Sequence, residues 1–315
     1  MKLFILRSNL YATLLALLMS CCISCSQAKS ENKMVKAKDI IKTVNKGKSV
    51  VYMDCIIKDD LDLTQLNETE VDGNGTTIVY IGQTVTFVQC VFLGKVTTNS
   101  KGEKGNHQMT FFDKDVFFRN CDFRGTVDLS NSRIGGNLVM AQSKFREEAD
   151  FSNLTVRGTA QLWEILAEKD FSFAGVNIDG NLNMMDAHFE KGVNFQGIEC
   201  SDLQAGNLQC EDALDLSMIT VNGNVLMNYA KVQKGATLAD ACIKGRCNII
   251  GSTFEGNFSV ENATFMGRTK FNKSVFNGNV ATNGALFYHA PAATEAQTKV
   301  PMQVEVLQTN KIEIK

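Results

Sequence analysis

Ten cysteines, three histidines and 34 carboxylates are the side chains of this 315-residue chain that could hold a metal, act as a nucleophile or move a proton. Their spacing assembles little. His107, His188 and His289 are scattered, so no nucleophile can be matched with a positioned base. Zinc wants closely spaced Cys and His ligands, and that pattern does not occur, so neither metal nor cofactor is expected. Cys22-Ile23-Ser24-Cys25 has the spacing of a redox dithiol, but such a pair opens a helix after a strand, whereas here it follows an apolar leader. Cys55, Cys90 and Cys121 fit an inward column, and Cys200, Cys210 and Cys247 fit core positions of a small hydrophobe. Local disulfides, Cys200 to Cys210 or Cys242 to Cys247, remain open in an oxidising compartment. Two contact residues stand out: Trp163, the single tryptophan, and Met185, 22 residues later, which together could seat a protein side chain or a sugar ring.

What positions these residues is a rhythm. Apolar side chains recur at alternating steps of six and five through Phe123, Leu129, Ile134, Met140, Phe145, Phe151, Val156 and Leu162 to Phe195, then from Leu216 to Phe287. No helix sustains that alternation. Two residues before each member sits a smaller side chain, such as Cys121, Val127, Ser132, Ala149 or Ala160. Alternate strand residues share a side, so both rows can enter one interior, with Asp122, Asp128, Asp150 and Asn194 turned outward. Glycines recur two places after the five-step members, at Gly125, Gly136, Gly158 and Gly180, as corners needing unusual backbone angles would require. Between Phe195 and Leu216 the register slips, shortening one coil by a residue; whether Leu203 and Leu208 or Ala205 and Cys210 point inward there is open.

Ala149-Asp150-Phe151-Ser152 and Val193-Asn194-Phe195 show the unit: small, Asp or Asn, Phe, Ser. This resembles the phenylalanine-rich form of the pentapeptide-repeat family, and the resemblance covers more than half the chain. It implies an all-β fold, a right-handed quadrilateral parallel β-helix with coils of about 22 residues, some eight of them making a rod of roughly 40 Å. Asp54-Cys55-Ile56-Ile57, Gln89-Cys90-Val91-Phe92 and Asn120-Cys121-Asp122-Phe123 align, and the excess between them predicts loop insertions near 67–77 and 99–107. The expected organisation is a signal peptide over 1–20, a tether over 21–33, a capping helix over 34–48, the β-helix over 49–287, and a linker with a C-terminal cap or tail over 288–315. Val35, Ile40, Ile41 and Val44, closed by Gly47, carry the helix; Val304, Val306, Ile312 and Ile314 would cover the other end.

Lys2 and Arg7 precede the apolar run 10–19, the charge order of a secretory signal. It ends in Leu18-Met19-Ser20-Cys21, which resembles the bacterial lipobox and makes Cys21 the expected lipid attachment. Anchoring at the membrane of a bacterial cell envelope, with the outer membrane facing the periplasm as the expected side, follows from that resemblance. Formal charge is -2, or -4 without Lys2 and Arg7, which suits neither a basic nucleic-acid binder nor an acidic DNA mimic.

Three functions compete. A non-enzymatic envelope lipoprotein would use its rod as scaffold or binding surface for an envelope protein or glycan. A carbohydrate-binding or carbohydrate-active β-helix would use carboxylates such as Asp150 and Glu190, although compact coils with short loops argue against an enzyme. An inhibitor of type II topoisomerases by DNA mimicry, known among family members, conflicts with the leader and the weak charge.

Overall fold

The computed structural model describes residues 33–101, 107–299 and 305–306, so the leader 1–20, Cys21, the tether with Cys22 and Cys25, and the side chains of Val304, Ile312 and Ile314 lie outside the described residues. The described residues from Met34 onward belong to one compact unit.

Short strands recur on four faces. The first coil runs through Val50–Met53 on face one, Cys55–Ile57 on face two, Leu61–Asp62 on face three and Thr77–Ile81 on face four. The next returns to face one at Val85–Val88, parallel to and in register with Val50–Met53. Most strands have only two or three residues and could not persist alone; each is held by amides and carbonyls of the coils on either side, as Phe151 N to Ser172 O at 2.8 Å and Phe173 N to Asn194 O at 2.7 Å. Face two stacks 12 strands, so the solenoid has about 12 turns and a length of roughly 50 Å. That exceeds the eight or so coils visible in the uninterrupted rhythm, because the two interrupted coils at the start and the end of the chain join the same stack.

The six-five row is the core: Phe123, Leu129, Ile134, Met140 and their successors are at most 2% exposed. Aromatic rings stack coil on coil, with centroids 4.8 Å apart for Phe92 and Phe123 and 5.0 Å for Phe123 and Phe145. Each such pair adds about 0.5–1.5 kcal/mol beyond the area it buries. In the slipped coil both candidate pairs point inward: Leu203 and Leu208 continue the flanking row, Ala205 and Cys210 the central row, and all four are at most 2% exposed. The missing residue belongs to one corner, where Cys200-Ser201-Asp202-Leu203 replaces the longer Ile178-Asp179-Gly180-Asn181-Leu182.

The corners reverse the expected role of glycine. Gly125, Gly136, Gly158 and Gly180 have ordinary backbone angles, whereas positive φ falls at the other corners, on Asn131, Gln142, Asn153, Glu164, Met218 and Tyr229 (φ 55 to 61). These are type II turns, closed by bonds such as Ser143 N to Met140 O at 3.2 Å. Glycine is needed at its own corners because coils touch there: a Cβ on Gly125 would lie 2.5 Å from Gly94 O, and one on Gly180 would lie 2.7 Å from Gly158 O.

The ends and insertions also differ from expectation. The helix spans Ala37–Asn45, buries Ala37, Ile40 and Val44, and ends at Gly47 (φ 66), whose amide donates to Val44 O at 2.8 Å. Val35 precedes it in strand Lys33–Val35, which pairs on face two and leaves Val35 O to accept the Lys58 amide. The insertions are not loops alone. Thr69–Val71 pairs antiparallel with Thr77–Ile81, and Asn99–Lys101 pairs antiparallel with His107–Phe112, so both extend face four as a flange at the same corner of successive coils. Beyond Phe287 the winding continues rather than becoming a linker: Gln297–Thr298 pairs with Val275–Phe276 and Glu305–Val306 with Leu286–Phe287.

These two corner types respond oppositely to substitution. Gly180→Ala should lower stability by about 1–3 kcal/mol through overpacking, while Tyr229→Gly, which removes a side chain from a left-handed position, should leave stability unchanged or raise it by up to about 1 kcal/mol. Denaturant midpoints of the two variants test this; equal losses would refute the assignment.

Candidate interaction surface

Each face presents its own outward rows. On face two the column Arg124, Arg146, Glu168 and Glu190 crosses the strand row holding Asp122 and Lys144. Arg146 grips Asp122 through Nε at 2.6 Å and Nη2 at 3.1 Å and reaches Glu168 at 3.7 Å; Arg124 adds a 3.0 Å bond to Asp122, and Lys144 pairs with Glu168. Burial raises the Asp122 carboxyl, but the hydrogen bonds from Arg146 and Arg124 outweigh it and hold the group below its ordinary value. The column is thus a solvated, internally neutralised face worth little as a binding strip. His188 lies here too, 3.8 Å from Glu211.

Face three carries Asp128, Asp150, Ser172, Asn194 and Asp215 in one row. All of these but Asp128, together with Glu148 and Asp170, line a shallow recess of about 540 Å³. The acids of the row are already employed: Asp150 accepts the Ser152 amide at 2.8 Å and Asp215 the Ser217 amide at 2.8 Å, the same turn-closing bond that Asn194 accepts from the Gln196 amide at 2.9 Å. Glu190 stands on face two, apart from them and exposed. The two carboxylates singled out in the sequence are therefore not brought together.

Face one is different. Its outward rows run Val51, Thr86, Phe117, Val139, Gln161, Asn183 and, beside them, Met53, Val88, Arg119, Ala141, Trp163, Met185. Val51 is 60% exposed, Met53 55% and Met185 39%, while Trp163 lies half-buried beside a fully buried Ala141. Trp163 and Met185 are adjacent in the stack, linked through Glu164 N to Met185 O at 2.9 Å. They are the far end of a longer apolar band that sequence reasoning missed. The signal was present in the aligned Cys55, Cys90 and Cys121 segments, which place Met53, Val88 and Arg119 in Trp163's row, but the insertions hid the stacking order.

Cys55, Cys90 and Cys121 do form the inward column, followed by Ser143, whose hydroxyl takes over the thiol's role by donating to Phe118 O at 2.7 Å. None of the seven described cysteines is in a disulfide. The proposed local disulfides fail because Cys200 and Cys210 sit on faces four and two, and Cys242 faces outward while Cys247 faces inward. Among the described residues no group of three or more His, Cys, Asp or Glu could hold a metal.

Burial pushes the Cys200 and Cys247 thiols up to about 12 and Cys210 to about 11. Neutral-pH alkylation followed by peptide mapping should therefore mark Cys242 and spare these three until denaturant is added. The folded chain retains protons on these thiols that the unfolded chain gives up near its ordinary value of 9.0, so stability should be flat below that pH and fall as pH rises towards 12. Melting temperatures that hold steady through this range would contradict the burial.

Residues 118–166 match the family model for pentapeptide repeats, in a form of nine copies. No curated protein and no solved structure matches the chain. The matched segment lies inside the four-faced stack, whose strand pairing continues on either side of it, and the parallel β-solenoid is consistent with a helix of pentapeptide repeats.

Proposed function

We propose that this chain is a non-enzymatic envelope lipoprotein whose β-solenoid is a rigid binding surface or scaffold, with face one as its working side. The carrying observation is the apolar band from Val51 and Met53 through Phe117 and Val139 to Trp163 and Met185, against ion-paired side chains on face two and turn-closing ones on face three. Methionine and aromatic side chains on an unneutralised face favour a protein partner over a glycan, although both remain within reach of Trp163. Attachment through a lipid on Cys21, at the periplasmic side of the outer membrane, is the tether of this reading; it rests on the leader sequence. Among the described residues no helix is long and apolar enough to cross a membrane.

The carbohydrate-active alternative has only the face-three recess in its favour, and there Asp150 and Asp215 already accept backbone amides.

Two measurements separate these readings. Cys21→Ala should abolish incorporation of radioactive fatty acid, and persistent labelling would move or remove the anchor. A photo-crosslinking residue at Trp163 should capture a defined envelope component in intact cells, while the same residue at Ser172 on face three should not. Equal yields from both positions would sink the assignment of face one.

A further inference from the structure

The corner between faces four and one carries a ladder of side-chain acceptors that stops part-way along the rod. At successive coils the residue after the corner glycine is Asn137, Thr159, Asn181, Asp202 at the shortened corner, Asn224, Arg246 and Arg268. Except at Thr159, whose hydroxyl instead donates to Asn137 Oδ1, each side-chain oxygen caps the amide of its successor: Thr159 N donates to Asn137 Oδ1 at 2.9 Å, Asp202 N to Asn181 Oδ1 at 3.2 Å, Asn224 N to Asp202 Oδ1 at 2.6 Å and Arg246 N to Asn224 Oδ1 at 3.0 Å. At Arg246 the series of acceptors ends, because a guanidinium has no oxygen to offer the Arg268 amide.

Where the ladder stops, the surface holds a recess of about 570 Å³ lined by Asn224, Arg246, Asn248, Arg268 and Lys270 with two corner glycines. Arg246 and Arg268 occupy adjacent coils, about 4.8 Å apart by strand spacing, and Lys270 follows Arg268 by two residues on the same side of the strand. No carboxylate lines the recess, and none of the three cations has an acidic partner among the described residues. Elsewhere on the rod Arg124, Arg146, Arg157 and Lys234 are neutralised by Asp122, Asp179 and Asp212. Asn248 adds a buried Oδ1 with no hydrogen-bond partner.

We propose that this recess binds a phosphate monoester. Two guanidinium forks and an ammonium converge on one compact oxyanion, and planar forks favour paired oxygens. The Asn248 oxygen accepts a hydroxyl, either the P–OH of the singly protonated ester or a neighbouring hydroxyl of the molecule that carries it. A planar carboxylate offers one charge and no such proton, and is the poorer fit.

Titration calorimetry of the full chain with inorganic phosphate, methyl phosphate and acetate tests this. Both phosphates should bind, acetate should bind more weakly, and Arg246→Gln/Arg268→Gln should weaken methyl phosphate at least tenfold. Arg124→Gln/Arg146→Gln, which removes as much charge from face two, should not. Circular dichroism checks each fold; should the first double variant unfold, Lys270→Gln alone should still cost about threefold. Vesicles containing phosphatidic acid distinguish a lipid-borne phosphate from a soluble one: parent and Arg246→Gln/Arg268→Gln share an amino terminus, so a difference in retention reports the recess. Equal retention with soluble binding assigns a soluble ester. Absence of phosphate binding, or equal losses in the two double variants, would overturn the proposal.

Discussion

Every coil must lie flat on a copy of itself. Outward-running amides and carbonyls of one turn find their partners 22 residues away, so a side chain's closest neighbours are the occupants of its own position one turn earlier and later. Parallel pairing over strands this short tolerates no sideways drift, since a one-residue shift would turn the whole central row outward. Like must therefore sit on like, or on something that accommodates it. Phenylalanine on phenylalanine succeeds as a stacked ring pair, asparagine on asparagine as an amide ladder, and glycine on glycine as a bare backbone contact.

Three of the faces are different answers to that demand. Face three repeats short oxygen-bearing residues, each closing its own turn, so that neighbouring acids point their acceptor atoms at amides rather than at one another. Face two alternates charge along and across its rows, which turns self-stacking into ion pairing. Face one is released from this discipline at both ends. Apolar side chains occupy its early coils and cations without partners its last ones, and both are poor neighbours for water or for themselves unless something else covers them. Free surface chemistry concentrates where the stack's own rules are least satisfied.

The central row was legible because large apolar residues recur without a break from Phe123, and burial in a closed interior leaves no other place for them. The resemblance to pentapeptide repeats then supplied the four-sided shape. What the sequence could not show was the reason for each corner residue. Glycine's presence at Gly125 and Gly180 was plain, but it is required by a carbonyl in another coil, not by its own dihedral. Conversely, Met218 and Tyr229 hold left-handed angles against their local preference because the turns above and below leave no alternative. The insertions read as loops since their strands alternate weakly; their hydrogen bonds are supplied by each other and by the next coil. Of the surface, Trp163 and Met185 were readable as a pair 22 apart, while Val51, Met53 and Phe117 needed the register of the interrupted coils. The leader and Cys21 stand on sequence pattern alone.

The corner at Ser201 shows how such a molecule accommodates change. One residue is lost there, yet Leu182, Leu203 and Val225 still stack in line, and every face keeps its phase on both sides. The solenoid counts sides rather than residues: length can vary at a bend, while a strand admits no such variation. For protein engineering this makes the bend between Cys200 and Leu203 a splice point, at which two rods of different origin could be joined end to end, each keeping the surface it presented before.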